Sequence, residues 1–182
     1  MLEGRLVRLR EQRREDVEAL FELETDVEHV SLADAYPFRA PTLAARQADF
    51  DKRQTDRDET FVPFTIQRLD DKAGTAIGSI TLWRIDQYHR SAHIGISLLR
   101  SARGQGLGRD ALEVVCRFGF EIRALERLSL ETLDVNAAMQ ATAVSCGFVE
   151  EGRLRSAAWF YGRRLDEVLF GLLASEWRAR QG

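Results

Sequence analysis

Apolar positions recur along the chain with two spacings, one near the helical period and one of alternate residues. Their order outlines the fold. Leu107, Ala111, Val114, Val115, Phe118 and Ile122 fall at i, i+4, i+7, i+8, i+11 and i+15 and predict one long amphipathic helix. Asp110 sits in its first turn, where a negative charge suits the helix dipole. Residues 5–10 read as a strand around Leu6-Val7-Arg8-Leu9. Glu15, Asp16, Val17, Leu20, Phe21 and Glu24 then have the spacing of a first helix. Residues 26–41 carry no period and are expected to be irregular. Thr42 suits the N-cap of a second helix over about 42–54, which the polar tract from Gln54 to Glu59 ends.

Three strands follow: Val62 to Arg68, Thr75 to Ile85, and Ala92 to Leu99. Asp70-Asp71-Lys72-Ala73-Gly74 forms the turn between the first two. Arg127 to Val135 alternates like a strand. Asn136 then caps a short helix closed by Gly147, and Phe148 to Leu154 is a further strand. Residues 156–164 are expected to form a loop, turning at Tyr161-Gly162-Arg163, before a last strand from Leu165 to Leu173. The order β-α-α-β-β-β-α-β-α-β-β predicts an α/β (α+β) fold, one domain over residues 1–182. Its central sheet is mixed and mostly antiparallel, with about seven strands flanked by about four helices.

With 182 residues, 45% of them hydrophobic, the chain can bury a real core. The net charge is −3, and the arginine pairs Arg13-Arg14 and Arg163-Arg164 are isolated. No nucleic-acid partner is therefore expected. No apolar run approaches the length of a membrane span and the first residues carry no signal-like segment, so neither a membrane partner nor export is expected. Cys116 and Cys146 share no CxxC spacing. They suggest neither a disulfide framework nor a metal site, and Cys116 reads as a core residue; a reducing cytoplasm is the default expectation.

The chemistry concentrates where the third strand meets the long helix, at Arg103-Gly104-Gln105-Gly106-Leu107-Gly108. Glycines at alternate positions before a helix expose backbone N–H groups, and the positive end of the helix dipole adds to them, which suits a phosphate. A nucleotide P-loop requires Lys and then Ser or Thr after the last glycine, but Arg109-Asp110 follow here. The dinucleotide fingerprint G-x-G-x-x-G is one residue longer than this G-x-G-x-G and usually opens a first βαβ unit. A third pattern, [Arg/Gln]-x-x-Gly-x-[Gly/Ala], fits without a gap.

That third pattern is the pyrophosphate loop of the GNAT superfamily of acyltransferases, which the chain resembles over nearly its whole length. Besides the loop, the resemblance rests on three pieces. They are Leu6-Val7-Arg8-Leu9-Arg10 followed by Glu15-Asp16-Val17; Ala92-His93-Ile94-Gly95-Ile96; and Asn136-Ala137-Ala138 with Cys146-Gly147-Phe148 and Glu151-Gly152-Arg153-Leu154-Arg155. The likeness is greatest to the branch of ribosomal-protein-alanine and spermidine N-acetyltransferases. It implies acetyl transfer from acetyl-CoA to a primary amine on a small molecule or a protein N-terminus. It also implies that Ile96 and Leu98 offer backbone groups to the pantetheine arm, that Arg103, Gly104, Gln105, Gly106, Leu107 and Gly108 hold the pyrophosphate, and that Asn136 meets the pantetheine or thioester.

The reaction sets further demands. A free alkylamine has a pKa of about 10.4, so some group must take its proton. A donor must also face the thioester oxygen as it gains charge, and a strand N–H near Ser97 and Leu98 is the candidate. Many relatives carry Glu where this chain has His93, and Tyr where it has Ala143. The candidates for acid and base are His93, Glu131 and Ser145, with Asp134 and Cys146 as further possibilities. Asp34, Tyr36, Phe38, Trp159 and Tyr161 are the residues able to grip an amine acceptor. Trp83 reads as core. The alternative function is a non-catalytic acyl-CoA-binding module, for which the missing tyrosine speaks. A homodimer fits the resemblance, although no exposed apolar helix face argues for one.

Overall fold

In the computed structural model, which describes residues 2–33, 38–56 and 58–181, eight strands form one sheet. The strands are β1 (Leu2–Glu3), β2 (Val7–Arg10), β3 (Val62–Arg68), β4 (Ala76–Asp86), β5 (Ser91–Leu98), β6 (Arg127–Leu133), β7 (Val149–Phe160) and β8 (Arg163–Leu173). Their spatial order is β1-β2-β3-β4-β5-β6-β8-β7. Every neighbouring pair is antiparallel except β5 and β6, so the predicted mixed sheet is present with one strand more than expected.

The helices are α1 (Arg14–Ala19), α2 (Phe21–Thr25), α3 (Val27–Ala33), α4 (Leu43–Thr55), α5 (Leu107–Arg117), α6 (Ala137–Ser145) and α7 (Ala174–Gln181). α5 buries Leu107, Ala111, Leu112, Val114 and Val115 in the main core with Ile80, Leu82, Ala92, Ile94, Leu128 and Leu130 of the sheet. Thr42 caps α4, its hydroxyl accepting from the Ala45 N–H at 3.2 Å.

Four expectations are corrected. Part of the segment 26–41 is helical, because the Asp26 carboxylate accepts from the His29 N–H at 3.1 Å and so caps α3. The helix stripe does not continue to Ile122. A π turn over Phe118–Ile122 adds a residue to the period, leaving Ile122 61% exposed and burying Phe120 instead. Residues 156–160 are strand rather than loop: β7 runs on to Phe160 and only Tyr161-Gly162 turn. A register irregularity between Leu154 and Ala158, with Ser156 at φ +53°, breaks the alternation that would have announced it. Finally, there are more helices than about four. The first breaks at Leu20, and α7 adds a short, mostly polar helix anchored by Ala174 and Trp177.

The N-terminal helices are tied to the sheet by a buried ion pair. Arg10 on β2 grips both oxygens of Asp16 on α1, at 2.7 and 2.8 Å, and donates to the Gly74 carbonyl. Asp16 also accepts from the Arg13 N–H and the Thr65 hydroxyl. Burial raises the Asp16 pKa, but these donors more than offset it, so the carboxyl sits below its ordinary value of 3.8. A lowered folded-state pKa means the stabilisation is full above 3.8 and is lost as pH falls below it. Asp16→Ala, which strands the buried Arg10, should cost about 3 kcal/mol or more in urea unfolding at neutral pH. Its stability should then fall less steeply in acid than that of the wild type.

Candidate active site

β5 and β6 run parallel yet pair only at Ser91↔Arg127, Ala92↔Leu128 and His93↔Ser129. Beyond His93 each strand keeps its outer partner, β4 for β5 and β8 for β6, and loses the inner one. A wedge therefore opens within the sheet. The Leu99 N–H donates to the Ile77 carbonyl of the strand approach at 2.9 Å. By antiparallel alternation Gly95 and Ser97 then address β4, whereas Ile96 and Leu98 turn their backbone groups toward the wedge. Of the two residues expected to supply a strand N–H, Leu98 therefore faces the wedge and Ser97 does not, and Ile96 faces it as well.

The glycine loop closes the wide end of the wedge. Gly104 (φ +73°) and Gly106 (φ +77°) take up left-handed conformations that L side chains rarely adopt, and Gly106 is the N-cap of α5. Gly108 lets the first turn of α5 sit on β5, since a Cβ there would lie 3.2 Å from Leu98 Cδ1. Among the described residues, the N–H groups of Gly104, Gln105, Gly106, Leu107, Gly108 and Arg109 donate to no protein acceptor. Six adjacent donors at a helix start make a site for an anion.

The loop is held from behind. Asp110 is 7% exposed, and its carboxylate accepts the N–H groups of Arg5, Leu6 and Val7 at 3.0, 2.7 and 2.9 Å. Gln105 is fixed in front, accepting from Arg68 at 2.9 Å and donating to the Ser101 carbonyl at 2.7 Å. Arg103 folds back, its Nε donating to the Leu98 carbonyl at 2.9 Å.

His93 stands at the last paired position, where the wedge begins. Its Nδ1 lies 2.7 Å from Glu131 Oε1 on β6, with the oxygen off the line of a ring N–H, so the two groups are close without an aligned hydrogen bond. Trp83 lies against the imidazole with ring centres 5.0 Å apart, so this tryptophan serves the site's wall as well as the sheet. Glu167 on β8 faces Leu133 in register and is diagonal to Glu131 on the same face. Burial, then the Glu131 charge, push its carboxyl above the ordinary value. Nothing local marks Glu167 in the sequence; only the β6–β8 register brings it in.

α3 lies on this face, and its His29 is a second residue the sequence did not point to. His29 Nε2 lies 3.0 Å from Ser97 Oγ, and Nδ1 lies 3.3 Å from an Arg103 guanidinium nitrogen. Burial, then the Arg103 charge, lower its pKa.

The other sequence candidates fall in three places. Asn136 caps α6: its Oδ1 accepts from the Met139 N–H at 3.2 Å and its Nδ2 donates to the Thr132 hydroxyl at 3.1 Å. One amide N–H and one lone pair remain for a ligand. Ser145 is not brought to His93 and Glu131; its hydroxyl donates to the Thr142 carbonyl and its carbonyl accepts from Arg180. Cys146 is buried against α5, and burial pushes its thiol up to about 11, which leaves it a poor proton donor or nucleophile. Asp134 follows β6 with Oδ1 buried and unpaired among the described residues. Trp159 and Tyr161, each 64% exposed, stand at the tip of the β7–β8 hairpin, and Phe38 is at the surface. Asp34 and Tyr36 lie outside the described residues.

The model of the acetyltransferase (GNAT) domain family matches residues 6–149. The chain belongs to the GNAT acetyltransferase family. Among relatives, it is 30% identical over 108 residues to YdaF of Bacillus subtilis (strain 168), named for a ribosomal N-acetyltransferase activity. That match covers 59% of each chain. It is 29% identical over 112 residues to the spermidine N(1)-acetyltransferase of Vibrio cholerae, covering 62% of this chain and 65% of the relative. The matched region thus spans less than two thirds of either curated relative. The crystal structure of a Vibrio cholerae spermidine N-acetyltransferase in complex with CoA and spermine superposes with a TM-score of 0.85 at 24% identity, over 94% of this chain and 98% of that one. A dodecameric structure of spermidine N-acetyltransferase from the same organism gives 0.81 at 23%, over 97% and 98%. These likenesses establish the GNAT fold.

The loop reading makes a charge-specific prediction. Asn tolerates the left-handed backbone of Gly106 about as well as Asp does, so the pair isolates charge from strain. Gly106→Asp should bind CoA at least tenfold more weakly than Gly106→Asn, about 1.4 kcal/mol by calorimetry, with similar thermal stability for both.

Proposed function

We propose that this GNAT protein transfers an acetyl group from acetyl-CoA to a primary amine, on a protein N-terminus, a polyamine or another small molecule. The observation that carries the reading is the row of unpaired N–H groups from Gly104 to Arg109 at the wide end of a wedge whose narrow end holds His93 and Glu131. Acetyl-CoA supplies the activated acyl group. The loop N–H groups bind its diphosphate, and the exposed edge of β5 at Ile96 and Leu98 aligns the arm between the strands, much as an added strand would.

Of the two β5 N–H groups turned into the wedge, that of Leu98 lies beside the diphosphate loop, so that of Ile96, three residues from His93, is the donor placed where an oxygen gains charge. The incoming nitrogen loses a proton as its bond to the acyl carbon forms and the carbon–sulfur bond breaks. His93 takes that proton, and Glu131 beside it stabilises the resulting imidazolium. Glu131 and Glu167 also give the amine an acidic approach. Ala143, fully buried, leaves no hydroxyl at the place where many relatives carry a tyrosine acid. Direct attack fits better than a covalent enzyme intermediate, because the two cysteines are buried with raised pKa values.

Incubation with acetyl-CoA and a panel of amines, followed by free-thiol release, tests the reading. CoA release that depends on an amine supports it. Tight CoA binding with no turnover on any amine supports a non-catalytic acyl-CoA-binding module instead. In the active enzyme, His93→Ala should lower kcat/KM by about a hundredfold or more and flatten the acidic limb of its pH profile. An unchanged profile would remove His93 from the proton path.

A further inference from the structure

We infer that His29 is a positioning residue that holds Arg103 at the diphosphate loop and ties that loop to helix α3; the inference rests on the functional reading above. Both imidazole nitrogens are engaged across the fold. Nε2 meets Ser97 Oγ on β5 and Nδ1 meets the Arg103 guanidinium. A guanidinium only donates, so the Nδ1 contact requires a lone pair. The imidazole is therefore neutral, with its proton on Nε2 directed at the Ser97 hydroxyl. Arg103 is held from two sides, by His29 and by the Leu98 carbonyl that faces the wedge.

The tether places a cation at the first residue of the anion-binding loop and keeps it off that loop's N–H row. It also restrains α3, whose other ties to the loop region among the described residues are the pairs of Arg100 with Asp26 at 3.2 Å and with Glu28 at 3.9 Å. Protonation of His29 removes the Nδ1 lone pair and sets two cations face to face. Among the described residues, the charges near the ring are Arg103 from the loop, Asp26 at the cap of α3 and Glu28 in its first turn, and Arg100, which pairs with both of those carboxylates. Across α3, Glu131 of β6 is already engaged by His93. Acid therefore releases Arg103, and with it the arrangement of the loop and α3.

Two measurements test this. In the ligand-free protein, the His29 ring followed by NMR should show the Nε2–H tautomer and titrate at lower pH than an ordinary histidine, and Arg103→Gln should move that titration upward. A His29 titration that ignores Arg103→Gln would overturn the proposal, whether or not CoA binds. In the second measurement, CoA affinity is followed by calorimetry between pH 5 and 8. The wild type should lose at least threefold in affinity as His29 protonates. His29→Gln, whose amide can donate to Ser97 and accept from Arg103, should keep the neutral-pH affinity and lose this part of the pH dependence. His29→Ala should bind weakly throughout the range. A wild-type pH dependence retained in His29→Gln would contradict the proposal while leaving the acetyltransferase reading intact. Failure of CoA to bind the wild type at all would remove that reading, with the His29 titration still deciding the tether.

Discussion

β5 keeps β4 along its whole length and gives up β6 after His93, and the site depends on that parting. A strand buried in a sheet ordinarily satisfies its N–H and C=O groups on both sides. Here the backbone groups of Ile96 and the Leu98 N–H are turned toward space where a neighbour should be, while the Leu98 carbonyl takes the Arg103 Nε. Unpaired backbone in the middle of a sheet is costly unless something else pairs with it. An extended, amide-bearing ligand arm fits that requirement, and the same wedge gives the ligand a direction, from the loop at the wide end to His93 at the narrow end.

The loop supplies the second half of the constraint. A row of unsatisfied N–H groups could relax into some other hydrogen-bonding pattern if α5 were free to move. It is not free. Asp110 binds two N–H groups of the β1–β2 connection and that of Val7 at the start of β2, so α5 is fixed to the sheet from one side. Gly108 seats the helix against Leu98 from the other. A buried carboxylate with three donors and an apolar stripe together hold six donors in place without protein acceptors among the described residues. Preorganisation of this kind lowers the cost of binding because little ordering remains to be done when the ligand arrives.

Much of this was legible in the chain because it is local. The strand Val62–Arg68, the Thr42 and Asn136 caps and the loop-to-helix junction each depend on residues within a few positions of one another. What escaped depends on distant partners or on broken periods. The π turn shifts the phase at Phe118 and so exposes Ile122. The irregular register of β7 hides a strand inside what looks like a loop, and α3 lacks a clean stripe because it lies across parted strands. The reactive face is the least legible part. His29 meets Ser97 and Arg103 across 68 and 74 residues of chain, and Glu167 joins Glu131 only through the β6–β8 register. The reverse also holds for Ser145, which sequence proximity to Ala143 suggested and which the end of α6 occupies with its own backbone.

The central claim concerns specific amide protons, so it is tested most directly by following them. Backbone amide NMR of the protein titrated with CoA should show the largest shifts at Gly104 through Arg109, with Ile96 and Leu98 moving at the same concentrations. Saturable CoA binding that leaves the 104–109 amides in place and perturbs another region of the sheet would contradict the account.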